Sequence, residues 1–115
     1  MIRHLKMTPQ QGTFSAGFAA DAAGSVRFGL SGLIKPGATN MGLRVDCHTG
    51  SVTVFSTNHD PDIATRPNHA DVDPMISWKN EGTATPGTPV HVPGIVANVL
   101  RLDFAGAGRA HVSSV

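Results

Sequence analysis

Six residues within a span of fifteen carry the donor types of a metal site: His59, Asp60, Asp62, His69, Asp71 and Asp73. Carboxylates can hold Ca²⁺ through oxygen, and two imidazoles with a carboxylate can hold Zn²⁺. Their spacing matches neither the EF-hand pattern nor His-Glu-x-x-His. Asp and Asn next to Pro61, Pro67 and Pro74 are also ordinary turn formers. The stretch is therefore read as a polar loop, and no metal and no cofactor is assigned.

The other reactive side chains are scattered. His48, His91 and His111 fall on strand-like segments at positions facing away from the apolar set. No Ser or Cys nucleophile stands in a recognisable pattern with them, so they read as solvent-facing or interface residues. Cys47 is the single cysteine, which rules out an intrachain disulfide. It follows Leu43 and Val45 at period two and is expected on their face, as a buried, inert thiol. Trp78, in Ile76-x-Trp78, is read as the central packing residue between two sheets rather than an exposed stacking platform for a sugar. Gly106-x-Gly108 follows an apolar strand but lacks the helix and the acidic residue, about 20 positions on, of a dinucleotide fold. Gly29-Leu30-Ser31-Gly32 is not the Gly-x-Ser-x-Gly elbow of hydrolases. No catalytic residue is assigned, and the chain is expected not to be an enzyme.

Charge excludes further classes. The net charge is +1, and Arg3, Lys6, Arg27, Lys35, Arg44, Arg66, Lys79, Arg101 and Arg109 are dispersed. A nucleic-acid-binding chain concentrates such residues on one face to neutralise phosphates, so nucleic acid is not an expected partner. No apolar run approaches a membrane span, and residues 1–7 lead into no signal-peptide core; no membrane association is expected, and the chain should be made in the cytosol and stay soluble.

These residues must be positioned by strands. Of 115 residues, 11 are Val, 5 Ile and 10 Thr, against one Glu, two Gln and three Lys. β-branched side chains crowd a helical turn and suit a pleated surface. Glycine and proline, 13 and 8 in number, make turns frequent. Residues 3–7 read as a short strand with Leu5 and Met7 on one face, ended by Pro9 and Gly12. Between 12 and 25, Phe14 and Phe18 stand four apart, which fits a helical turn or a strand equally. Val26, Phe28 and Leu30 alternate with polar or small neighbours in a strand running to about 34.

Residues 43–56 read as a β-hairpin turning at Thr49-Gly50, and 57–74 as a long loop. A short strand is expected over 75–79, a second polar loop over 80–89, and a brief extended piece over 90–92. A strong strand follows over 98–105, and Gly106-Ala107-Gly108 closes it into a terminal hairpin. The expected fold is all-β: one domain over 1–115, an antiparallel β-sandwich or small jelly-roll-like barrel of about seven to eight strands. Residues 1–25 are read as an extended N-terminal arm. With one Trp, five Phe and no Tyr the core is small, so support from neighbouring subunits, a homo-oligomer, is expected.

The hairpin over 43–56, the proline-rich loop, the Ile76-Ser77-Trp78 strand, and the Val99-Leu100-Arg101-Leu102-Asp103-Phe104 strand closed by Gly106-Ala107-Gly108 follow one another in an order that resembles small bacteriophage virion accessory proteins with a β-sandwich fold. The resemblance covers about residues 43–115 and transfers no functional residue. It implies a non-enzymatic structural protein: a capsid decoration or cement protein binding across capsid subunits and stabilising the particle, or a tail or head-to-tail junction component. Its partners would be capsid or tail proteins, its location the virion assembled in the host cytoplasm, and its contacts the N-terminal stretch and 58–74. A carbohydrate-binding adhesion module using Trp78 and the His/Asp loop is the competing class.

Overall fold

The computed structural model describes residues 2–10, 13–29, 43–58, 64–65, 75–92 and 99–114, with side chains from Ser15 to Ser113. Nine strands run through them: β1 (Ile2–Gln10), β2 (Thr13–Ala20), β3 (Gly24–Gly29), β4 (Leu43–Thr49), β5 (Val52–Thr57), β6 (Lys79–Ala84), β7 (Val90–Val92), β8 (Val99–Phe104) and β9 (Gly108–Ser114). They form a five-stranded sheet in the order β1-β2-β9-β4-β7 and a four-stranded sheet in the order β3-β8-β5-β6. Every strand pairing is antiparallel. The chain is thus an all-β, jelly-roll-like sandwich. Residues 2–10 and 13–20, read from sequence as part of an arm, form β1 and β2 at one side of the larger sheet.

Period-two alternation explains which residues face inward. Leu43, Val45 and Cys47 of β4 meet Val52 and Val54 of β5 and Leu100, Leu102 and Phe104 of β8 in one core between the sheets. Phe18 of β2 stacks on Phe28 of β3, ring centroids 5.3 Å apart, which ties the two sheets together at that side. Each such Val, Leu or Phe contributes about 1.5–3 kcal/mol on burial, and among the described residues nine of the larger side chains are fully buried.

Two expected hairpins are not hairpins. β4 lies in the five-stranded sheet and β5 in the four-stranded one, so Thr49-Gly50 carries the chain across the sandwich as an arch. β8 and β9 are separated in the same way by residues 105–107. Alternating strands joined by a tight turn serve a hairpin or an arch equally well, and the neighbours available decide. The two arches lie against each other: a Cβ on Gly50 would sit 2.7 Å from Ala107 O, and one on Gly108 2.5 Å from Thr49 O. Ala105 N–H donates to Ser51 O at 3.2 Å across the same junction. Gly50 also has φ +78°, a region that glycine enters without the clash a Cβ brings.

Two further expectations need correction. The strand expected over 75–79 begins only at Lys79, and β6 occupies 79–84, in what reads from sequence as a polar loop. Polar residues suit this strand because β6 is the outermost strand of its sheet. Trp78 packs, but not between the sheets. Together with Ala64 and Ile76 it covers Val99 in a separate cluster on the outer side of the four-stranded sheet.

The registers divide the connections between the two ends of the sandwich. The turns at 21–23, 50–51, 85–89 and 105–107 all lie at one end of the sandwich. The connections 30–42, 58–78 and 93–98 all leave from and return to the other end. Binding residues concentrate where long connections meet a rigid scaffold, so that end is the first place to look for a site.

Candidate functional site

Near the long-connection end of β5, Ser56 continues the inward series Val52, Val54 and is itself buried. Opposite it, β6 carries a bulge: Val54 pairs with Gly82 and Phe55 with Asn80, which leaves Glu81 as the extra residue. Asn80 Oδ1 accepts a hydrogen bond from the Gly82 N–H at 2.8 Å, and Gly82 takes φ +126°. The bulge turns Glu81 toward the end of β5, where Ser56 Oγ donates to Glu81 Oε1 at 2.9 Å. Lys79 Nζ stands 3.5 Å from the same oxygen, its side chain 78% exposed against 9% for Glu81. Because the lysine is in water, this ion pair contributes little.

Glu81 is the only glutamate in the chain, and its burial costs free energy that a neutral side chain would not. Bulges re-aim side chains next to functional sites. Sequence reasoning missed this group because 80–89 reads as a loop. The single trace is a Glu held between Asn and Gly, two residues that favour irregular backbone.

The outer face of the four-stranded sheet carries a second constellation. Arg101 lies 4.1 Å from the centroid of the Phe55 ring and 4.7 Å from that of Trp78. Arg27, its cross-strand partner, lies 5.2 Å from Trp78. Asp103 takes the Arg101 charge, Oδ2 accepting from Nη2 at 3.2 Å. Asp103 Oδ1 is 3.0 Å from Nε but out of line for a hydrogen bond, leaving the buried Nε with an ionic contact only. Ser25 Oγ also donates to Asp103 Oδ1, at 2.7 Å. With Arg101 only 17% exposed, this group braces the 75–78 segment onto the sheet. The half-buried Trp78 ring is engaged by arginines rather than presented as a sugar platform.

The outer face of the five-stranded sheet gathers the strand histidines. His111 is half-buried, with Nε2 2.6 Å from Ser15 Oγ. Its register partners are Gly17 on one side and Asp46 on the other. Asp46 Oδ1 accepts from Arg44 Nε at 3.0 Å, and His91 is the register partner of Arg44. His48 and His91 are exposed. The outward-facing expectation for all three holds, but His111 is paired with a serine, which sequence reasoning did not foresee. Ser15 and His111 are 96 positions apart, and no local pattern links them.

Cys47 is buried as expected, with Sγ donating toward Thr49 O at 3.1 Å. Burial pushes its thiol up from the ordinary range, which keeps it protonated and unreactive. His59, Asp60, Asp62, His69, Asp71 and Asp73 lie outside the described residues. Of the loop expected to make contacts, 58–74, the structure describes Asn58, Ala64 and Thr65. Among the described residues no three His, Cys, Asp or Glu side chains are grouped to hold a metal ion.

No family model matches the chain, and neither does any curated protein. Solved structures do. A Cupin_2 domain of an XRE-family transcriptional regulator from Enterobacter cloacae superimposes with TM-score 0.50 at 9% identity, covering 99% of this chain and 93% of its own. A cupin-superfamily protein from Desulfitobacterium hafniense gives TM-score 0.52 at 7% identity, covering 100% and 77%. An oxalate oxidase gives 0.51 at 10% identity, covering 90% of this chain and 41% of its own. At such identities the likeness is one of fold.

It overturns the resemblance to bacteriophage virion accessory proteins: the similar structures are cupins. The decoration, cement, tail and junction roles drawn from that resemblance fall with it, and the carbohydrate-binding alternative gains no support from these structures. The features behind the resemblance, alternating strands closed by glycine-rich turns, belong to jelly rolls in general, an architecture that viral capsid proteins and cupins share. Fold does not select among their functions.

Proposed function

We propose that the chain is a non-enzymatic binding module that takes a small ligand at the long-connection end of the sandwich, with Glu81 as the polar anchor. One arrangement carries the reading: the single glutamate, 9% exposed, is turned by a bulge onto the buried Ser56 hydroxyl at the end of the fold from which the long connections leave. A purely structural acceptor for Ser56 need not be charged, and a charge there costs desolvation. Leu100 is the cross-strand partner of Ser56, and Phe28 that of Leu100, so apolar side chains adjoin the anchor as in ordinary ligand sites. The ligand class is a small molecule with a cationic or hydrogen-bond-donating group for the carboxylate and an apolar body. Between the sheets the space is filled by Phe18, Leu43, Val45, Leu100 and Leu102, which favours binding at the rim over chemistry in the interior.

Glu81→Gln tests the reading, because the amide oxygen keeps the acceptor for Ser56 and only the charge is lost. Melting curves are measured against a panel of primary alkyl- and arylamines, with the matching carboxylic acids as controls. A ligand at one hundred times its Kd stabilises by about 2.7 kcal/mol, a shift of several degrees. The expected result is such a shift with an amine for the native chain and none for Glu81→Gln, whose own melting is not lowered. If Glu81→Gln melts well below the native chain and no amine shifts either, the carboxylate is structural and the proposal fails.

A further inference from the structure

We propose that Ser15, paired with His111 on the outer face of the five-stranded sheet, is a nucleophilic serine that accepts an acyl or phosphonyl group from activated esters and halides in a single stoichiometric transfer. The geometry is that of a nucleophile and its base. Ser15 Oγ and His111 Nε2 are 2.6 Å apart, within the range that activates a hydroxyl. In the tautomer with the proton on Nδ1, Ser15 donates to Nε2, leaving a lone pair on Oγ for attack.

The sheet order β2-β9-β4 sets Asp46 on the side of His111 opposite Ser15, so a carboxylate stands one strand away from the imidazolium that forms. Both members of the pair are half-buried rather than sealed and lie on the outer face of the sheet. Gly17, two positions along β2, is the register partner of His111, and the cross-strand partners of Ser15 are Ser113 on β9 and Thr8 on β1.

With a fluorophosphonate the step is balanced without a further reactant. The Ser15 Oγ–P bond forms as the P–F bond breaks, fluoride leaves with the bonding pair, and the serine proton passes to His111 Nε2 and on to solvent. Turnover is not expected. Asp46 is engaged by Arg44 at 3.0 Å, and the flat face of a strand pair aims its backbone N–H groups along the sheet rather than at an oxyanion. The adduct should therefore persist, in keeping with a protein that binds rather than catalyses, although this site is independent of the one at Glu81.

The full-length chain is incubated with an alkyl fluorophosphonate, and adduct formation is followed by intact mass with peptide mapping. One phosphonyl group on Ser15 is expected. A general base supplies about 10²–10⁴-fold, so His111→Gln should label at least about 100-fold more slowly, while Ser113→Ala, on the same face, labels like the native chain. Circular dichroism melts of each variant separate loss of reactivity from loss of fold. If His111→Gln fails to fold, His111→Asn replaces it, and its labelling must be slowed to the same extent. No adduct on Ser15, or labelling indifferent to the loss of the His111 imidazole, overturns the proposal.

Discussion

Replacing glycines singly by alanine separates two costs at the junction of the arches, because three sites differ in what a Cβ would meet. At Gly87 φ is +84° and nothing lies within 4 Å, so Gly87→Ala carries only the left-handed backbone penalty, about 1–2 kcal/mol. At Gly108 the new Cβ would sit 2.5 Å from Thr49 O, an overpacking cost of about 1–3 kcal/mol. At Gly50 both apply: φ is +78° and Ala107 O lies 2.7 Å away, for a sum of about 2–5 kcal/mol. The opposing atoms are backbone oxygens and cannot rotate aside.

Equilibrium urea unfolding, followed by the fluorescence of Trp78, reads these differences. With m about 1–3 kcal/mol/M, Gly50→Ala should lower the midpoint by about 1 M or more, and Gly87→Ala by roughly half as much. The double variant Gly50→Ala/Gly108→Ala should cost less than the sum of the two, because both relieve strain by parting the same arches. Gly50→Ala no costlier than Gly87→Ala, with Gly108→Ala neutral, would refute the contact between arches and with it the crossing of β4–β5 and β8–β9 between sheets.

Arg101→Met keeps the aliphatic stem but removes the contacts to Phe55, Trp78 and Asp103; it should cost about 1–2 kcal/mol and shift Trp78 emission to the red, as a spectrum of the folded variant will show. Cys47 should resist thiol reagents until the chain unfolds. Since burial raises its folded value, the unfolded thiol ionises first. Its contribution to stability is complete below about pH 9 and declines above it, a decline that urea titrations of Cys47→Ala at rising pH should lack.

Several features were readable from residues alone. Val52, Val54, Leu100, Leu102 and Phe104 are buried at alternate positions as their spacing requires, and Cys47 joins Leu43 and Val45 in the core. Phe14 and Phe18 left 12–25 undecided between helix and strand, since a four-residue interval returns to the same face in both. The structure makes it β2, with Phe18 against Phe28. β6 was hidden because it is a short, polar outermost strand with a bulge, so no alternation marks it. Of the site groups, the histidines were placed on the correct face, whereas Glu81, Ser56 and the Ser15–His111 pair had no motif to reveal them.

Composition and period-two patterning determined that this chain is all-β, which side chains turn inward, and where tight turns fall, because each depends on steric preference and burial over a few neighbouring residues. Which strands pair was decided only by the assembled tertiary structure. Thr49-Gly50 and Gly106-Ala107-Gly108 could close hairpins or cross between sheets with the same local pattern, and the choice rests on contacts between residues far apart in the chain. The same holds for the chemistry: a bulge has no meaning until β5 lies beside β6, and Ser15 meets His111 only once β2 and β9 share a sheet.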